Sequence, residues 1–198
     1  MGLISRTLKV TAAGTAASIG VFFGATRNDV FQPMDSSDPI FQSPFFQKYN
    51  PNRNPTLHDV CVRRIELSKI EPSLLEKKGK LVEAFCAGVW GGMGYMAQRA
   101  YFANKYQGPE TAHHLWERKD LLANSYEVGT LITDHFEVLE KTDESITEEG
   151  IAEFKLKSCF YQGEGKADAA PMGPVMTWLH QQYTKLWLET AILKNCVK

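Results

Sequence analysis

One segment of the sequence, IAEFKLKSCFYQG (residues 151–163), alternates apolar and charged residues almost without interruption. A β-strand turns successive side chains to opposite faces of a sheet, so this alternation predicts a strand with one buried face and one solvated face. The side chains predicted on the buried face are Ala152, Phe154, Leu156, Ser158 and Phe160. The fold therefore needs a second layer that covers this face from water.

Two further segments have the pattern of strands. HDVCVRRIELSKI (residues 58–70) mixes apolar and charged residues, and VGTLITDHFEVLEKT (residues 128–142) alternates regularly. In the second segment Ile132, Asp134, Phe136 and Val138 share the predicted inner face, and His135 points the opposite way. These segments predict an antiparallel sheet.

The last element is predicted to be a long helix. In PMGPVMTWLHQQYTKLWLETAILKN (residues 171–195), one stripe recurs at helical steps and comprises Val175, Leu179, Tyr183, Leu186, Thr190 and Leu193. Such a stripe indicates an amphipathic helix that packs on another layer. The order of the elements predicts an α+β fold: a short antiparallel sheet, a long C-terminal amphipathic helix packed across it, and an N-terminal arm.

A glycine-rich apolar segment, AFCAGVWGGMGYMAQRAYF (residues 84–102), allows several interpretations. Residues 92–97 match the GxGxxA dinucleotide fingerprint, but that motif needs a parallel strand–helix–strand unit that the surrounding pattern lacks. A membrane span would need a longer run than the one between Glu83 and Arg99. We therefore expect a helix, broken near Gly91 and Gly92, in which Gly88 and Gly92 give clearance for close packing rather than a phosphate site.

The first 28 residues carry Arg6, Lys9 and Arg27 and no acid, and between them lies VTAAGTAASIGVFFGAT (residues 10–26). A basic, hydroxyl-rich and acid-free segment is typical of a mitochondrial presequence. A short membrane helix, a secretory signal and a loosely docked terminus are the alternatives. We expect residues 1–28 to be a targeting or membrane-anchoring segment at the mitochondrion or another organelle membrane.

Residues 29–56 contain five prolines, Pro33, Pro39, Pro44, Pro51 and Pro55, together with several aromatic residues. That proline density predicts an extended arm without regular helix or central strand. The aromatic residues suggest that the arm docks on the domain surface, on a membrane or on a protein partner. Residues 57–198 are then the folded domain.

The composition narrows the possible functions. The formal net charge is −1, so the chain as a whole lacks the basic field of a nucleic-acid-binding protein. The four cysteines are scattered, with no close pair and no Cys/His cluster, which argues against a structural metal site. We expect no cofactor and no metal.

Taken in order, HDVCVRRIELSKI, VGTLITDHFEVLEKT, IAEFKLKSCFYQG and LHQQYTKLWLETAIL resemble the START-like (helix-grip, polyketide cyclase-like) superfamily, in particular uncharacterised fungal proteins of this layout. The resemblance covers roughly residues 57–195 and consists of element order and pattern, not of a catalytic signature. Only KTDESITEEG (residues 141–150) separates the last two predicted strands, so the sheet should be shorter than in relatives. The resemblance implies a cavity between sheet and helix that binds a lipid, a polyketide or another apolar small molecule.

The residues nominated for such a cavity come from the inner strand faces and the last helix. They are Ile132, Phe136, Phe154, Leu156, Phe160, Trp178, Tyr183 and Trp187. A ligand pocket is mostly apolar with few polar groups, which this set matches. The alternative is that the same residues simply fill a core.

Asp134 is the candidate catalytic residue, because a carboxylate on the inner face would be desolvated and suited to act as a general base. No second catalytic group is evident beside it, and a lone His180 on the last helix is at most at a pocket mouth. Two functions therefore remain open. One is binding, transport or cyclase-type conversion of an apolar small molecule. The other is a non-enzymatic, membrane-associated mitochondrial accessory or interaction protein.

Overall fold

The central sheet consists of three antiparallel strands in the order β1–β2–β5, in a computed structural model that describes residues 18–141 and 150–198. The strands are β1 (Val30–Gln32), β2 (Leu57–Glu66) and β5 (Ile151–Phe160). β2 and β5 pair along their whole length, from Leu57 opposite Phe160 to Glu66 opposite Ile151. The two strands predicted from residues 58–70 and 151–163 are confirmed.

The C-terminal helix, α7 (Pro174–Asn195), lies on one face of this sheet, which confirms the α+β class. Leu188 and Ile192 of α7 pack in a core with Cys61 and Ile65 of β2 and with Phe154 of β5. The buried side of α7 is not the predicted stripe, because Leu179, Leu186 and Leu193 point outward and are exposed while Thr184, Leu188, Ala191 and Ile192 are buried. The predicted orientation of α7 was therefore wrong.

The glycine-rich segment forms two helices, α4 (Lys80–Gly91) and α5 (Met93–Tyr106), separated at Gly92 as expected. Both pack against α7 at glycines. A Cβ on Gly88 would lie 2.4 Å from the backbone oxygen of Ala191, and one on Gly94 would lie 2.7 Å from Cα of Trp187. The expected role of Gly88 in close packing is confirmed, because no side chain fits between α4 and α7.

The segment at residues 128–142 is not the single strand that its alternation predicted. It makes a tight hairpin of two short strands, β3 (Leu131–Ile132) and β4 (Phe136–Glu137). The turn is possible because Thr133 and Asp134 both adopt left-handed conformations, with φ of 49° and 59°. The alternating pattern therefore belongs to two short strands joined by a turn, and not to one continuous strand.

The arm is more regular than its prolines suggested. It holds two short helices, α2 (Pro39–Gln42) and α3 (Pro44–Tyr49). Each proline sits in the first turn of its helix, where no backbone N–H is needed, and the caps are Asp38 and Ser43, which accept hydrogen bonds from the second helical N–H. The expectation of an arm without helix was therefore wrong.

Two aromatic side chains of the arm, Phe41 and Phe46, lie on the face of the sheet opposite α7. Phe41 packs on the cluster of Val60, Val62 and Met34, and the rings of Phe46 and Tyr161 are 5.4 Å apart. The predicted docking of arm aromatics on the domain is confirmed for these two residues. The sheet is thus covered on one face by α7 and on the other by the arm.

The remaining regular elements are helices and short turns. Residues 18–25 form a helix, α1. The sixth helix is α6 (Arg118–Ala123). Turns of 3-10 helix occur at Thr26–Asn28, Leu67–Lys69, Pro72–Leu74 and Pro109–Thr111. Within residues 18–141 and 150–198, no helix is long and apolar enough to cross a bilayer.

Candidate functional site

The residues nominated for a ligand cavity divide into separate groups. Ile132, Phe136 and Trp187 belong to a core with Tyr95 and Trp90, outside the central sheet. Trp187 stacks on Tyr95 with ring centroids 5.4 Å apart, and its indole Nε1–H donates to the backbone oxygen of Val89. This group fills the space between α4, α5 and α7 with its own rings.

The other nominated residues lie elsewhere. Phe154 and Leu156 belong to the core between the sheet and α7, where the ring of Phe154 is 5.2 Å from that of Phe85. Phe160 and Trp178 are exposed. The nominated residues of β5 and α7 therefore do not line one common cavity, because β5 directs its side chains into a different core from the one that receives Trp187 and Phe136.

Tyr183 connects two helices rather than lining a cavity. Its hydroxyl donates to the backbone oxygen of Gly94 at 2.8 Å and lies 3.2 Å from Oε1 of Gln98. Both acceptors belong to α5. Tyr183 thus holds α5 beside α7 at the place where Gly94 lets the backbones of the two helices approach closely.

Asp134 does not lie on a buried face. Its side chain is 36% exposed at the hairpin turn, and Oδ1 lies 3.5 Å from Nδ1 of His114. The expected desolvation of this carboxylate does not occur, because the turn carries it outward. Its neighbour His135 stacks on Phe102 with centroids 3.9 Å apart, and its Nδ1 bonds to the backbone oxygen of Thr133 within the same turn.

The interface between the sheet and α7 holds a buried group of charges that the sequence did not reveal as a unit. Arg63 of β2 places Nε 3.3 Å from Oε2 of Glu189 on α7 and 3.8 Å from Oδ1 of Asp29, which precedes β1. Both carboxyl groups are almost fully buried. One arginine thus holds two acids from two different elements.

Two acids beside one arginine leave one negative charge in excess. Burial, and next the carboxylate of Glu189, raise the pKa of Asp29 to about 7, although Arg63 and Lys185 act in the opposite direction. Among the described residues, neither oxygen of Asp29 has a hydrogen-bond partner in good geometry. Asp29 is therefore readily protonated near neutral pH. Its one signal in the sequence was its position as the first acid of the chain.

A second buried pair lies nearer the beginning of α7. Nε2 of His180 is 3.1 Å from Oδ2 of Asp59 on β2, and both side chains are nearly buried. Thr184 contributes a hydroxyl beside the same imidazole. His180 therefore fixes the helix to the sheet instead of opening onto a pocket.

Three pockets in the described part of the chain lie along the arm and the edge of the sheet. Two have volumes of about 530 Å³, one beside Phe41, Phe46 and Asn54, the other beside Arg27, Val30 and Arg64. A third, of about 290 Å³, lies under α3 and includes Cys159 in its wall. None of the three has a wall built from the nominated cavity residues.

The N-terminal helix exposes apolar side chains. Ile19, Val21 and Phe23 of α1 are 52%, 71% and 50% exposed. The 3-10 turn that follows α1 contacts α7, and Thr26 in that turn is buried. Asp29 comes directly after this turn, so the buried charge group fixes the end of α1 to the domain.

Comparison with known proteins gives no relative: no family model, no curated protein and no solved structure matches this chain.

Proposed function

We propose that this chain is a non-enzymatic, membrane-associated accessory protein of an organelle, most simply the mitochondrion. The observation that carries the proposal is α1, whose side chains Ile19, Val21 and Phe23 are half or more exposed although they are strongly apolar. Exposed apolar side chains of this kind gain free energy when a membrane or a partner covers them from water. α1 directly follows residues that are basic and free of acid, which favours attraction to an anionic membrane.

The way the domain holds α1 supports the same function. Asp29, Arg63 and Glu189 join the chain after α1 to both β2 and α7, and all three side chains are largely buried. Such an attachment transmits the position of a membrane-bound helix to the folded domain. A loosely attached leader would not need buried ion pairs.

Binding of an apolar small molecule between sheet and helix stays a prediction. Its nominated residues pack against one another or lie on the surface, and this packing lends it no support. Catalysis by Asp134 has no support from burial either, since the turn exposes the side chain. An accessory role needs neither a cavity nor a catalytic acid.

The first test is localisation. A fluorescent reporter fused to residues 1–28 should collect at the organelle membrane, and reversal of the two charges by Arg6→Glu and Lys9→Glu should leave it diffuse. In the full chain, Val21→Glu with Phe23→Glu should release the protein from the membrane fraction. The control is Val128→Glu, which adds a charge at a side chain that is 62% exposed in the turn before β3. A wild-type reporter that stays diffuse in the cytosol would contradict the proposal.

A further inference from the structure

The outward side of α7 is apolar and continues onto α5. Leu179, Leu186 and Leu193 of α7 are 38–52% exposed, and Met93, Met96 and Tyr101 of α5 are 53–57% exposed. We name these six residues the outer helical face. A helix of a soluble domain normally turns its apolar stripe to the core, so a stripe that faces outward marks an interaction surface.

The two helices bring their exposed residues side by side. Nζ of Lys194 on α7 lies 3.4 Å from Sδ of Met93 on α5. Further along, Tyr183 bonds to α5 at Gly94 and Gln98, so the helices run antiparallel in contact. The exposed apolar groups therefore form one surface and not scattered side chains.

The charges of this surface have one sign. Of the 23 acids in the chain, α5 and α7 contain one, Glu189, and that acid is buried against Arg63. The same two helices carry Lys105 and Lys194 as exposed lysines. The partner of the outer helical face must therefore offer negative charge together with apolar volume.

The beginning of α7 has a similar character. Val175, Met176 and Trp178 are all more than half exposed in its first turns. Residues 169–184 contain no Asp, Glu, Lys or Arg. An exposed tryptophan beside aliphatic side chains is typical of helices that sit at a membrane–water boundary.

We propose that the outer helical face docks on an anionic lipid bilayer as a second contact, in addition to α1. The inference rests on the proposed membrane association and names the surface and lipid charge involved. The lysines attract anionic headgroups, and the apolar side chains enter the boundary region. A second copy of the chain fits less well, although Leu179, Leu186 and Leu193 have heptad spacing, because pairing would bring the exposed lysines of both copies together without acids to balance them.

The experiment measures binding of the full chain to vesicles by flotation. One set of vesicles is pure phosphatidylcholine, and the other is an equal mixture of phosphatidylcholine and phosphatidylserine. We expect binding to the mixed vesicles only, and a blue shift of Trp emission that Trp178→Phe removes. The shift reports on the helix surface because Trp178 is the exposed tryptophan, at 53%, while the other three are buried or half-buried.

Two pairs of variants localise the contact. Each lysine near an anionic surface strengthens binding about fivefold, so Lys105→Glu with Lys194→Glu should weaken it at least about 25-fold. Lys77→Glu with Lys119→Glu reverses two exposed charges away from the face and should change binding less than about twofold. Leu186→Gln with Leu193→Gln keeps the charge and should weaken binding about tenfold, because it removes the apolar groups that enter the bilayer. These residues are exposed, so the variants should keep the wild-type thermal midpoint.

The outcomes separate this inference from the proposed function. If only Val21→Glu with Phe23→Glu abolishes vesicle binding, the outer helical face is not a lipid contact, and the proposed membrane contact through α1 is supported. If the variants of the outer helical face abolish binding and the α1 variant does not, the outer helical face is the lipid contact, and the proposed membrane contact through α1 is refuted. A stable dimer that the Leu186→Gln and Leu193→Gln changes dissociate, without vesicle binding, would assign the face to a second copy and overturn the inference. The absence of binding to either vesicle would overturn both.

Discussion

Replacement of Asp29 by Asn tests whether the buried Asp29 carboxylate lowers the free energy of unfolding, and whether this effect depends on pH. Burial and the adjacent Glu189 raise the pKa of Asp29 from 3.8 to about 7 in the folded chain. The folded state therefore binds a proton more tightly than the unfolded state. The contribution of Asp29 to the free energy of unfolding is most favourable at low pH, where the carboxyl group is protonated in both states. This contribution falls as the pH rises from about 4, and the loss is complete above about pH 7.

The size of the effect follows from the shift in pKa. A difference of one in pKa corresponds to about 1.4 kcal/mol, so the rise in the pKa of Asp29 from 3.8 to about 7 sets an upper limit of about 4 kcal/mol. Asn carries no charge, and its amide can donate to the Glu189 carboxylate while its oxygen accepts from Arg63. We therefore expect Asp29→Asn to stabilise the chain by about 2–4 kcal/mol at about pH 8 and by less than about 1 kcal/mol at about pH 4.

Urea denaturation of both proteins at a series of pH values measures the difference. Asp168→Asn, at an exposed acid, controls for the loss of one negative charge. The free energies of unfolding of wild type and Asp29→Asn should diverge as the pH rises, and those of wild type and Asp168→Asn should stay parallel. Parallel curves for Asp29→Asn, or a variant that is less stable at about pH 8, would refute the reasoning.

Two further changes test the packing around α7. Gly88→Ala would place a Cβ 2.4 Å from a backbone oxygen of α7 and should destabilise the chain by about 1–3 kcal/mol, whereas Gly173→Ala, which meets nothing within 4 Å, should change the urea midpoint little. Trp187→Ala should cost about 3–5 kcal/mol of unfolding free energy if this side chain fills a core, and the exposed Trp178 should tolerate Ala at less than about 1 kcal/mol. A small loss at Trp187 in the same denaturation assay would instead point to a loosely filled cavity.

The orientation of α7 shows what periodicity can and cannot predict. The stripe at Leu179, Leu186 and Leu193 is real, and it correctly predicted a long helix. The opposite side holds Leu188 and Ile192, so both sides are apolar and few charges distinguish them. Close contact with Gly88 on α4 favours burial of the side of α7 that carries the small residue Ala191. Which side of α7 is buried therefore depends on the neighbouring helix and not on the sequence of α7 alone.

The hairpin at residues 131–137 and the buried acid show a second limit. Tight turns with two left-handed residues are usually marked by Asn or Gly, and here Thr133 and Asp134 occupy those positions. Nothing local distinguished them from strand residues. Asp29 and Glu189 are far apart in sequence, so only the folded sheet and helix bring them to Arg63.

The pairing of β2 with β5 determines when the domain can fold. β2 ends at Glu66, and its partner strand begins only at Ile151, with α7 later still. During synthesis β2 must wait for most of the chain before its long-range pairing can form, and such distant contacts also slow folding. The edge of β2 that pairs with β5 therefore stays open until residues 151–160 have been synthesised, and the core between the sheet and α7 forms only after that.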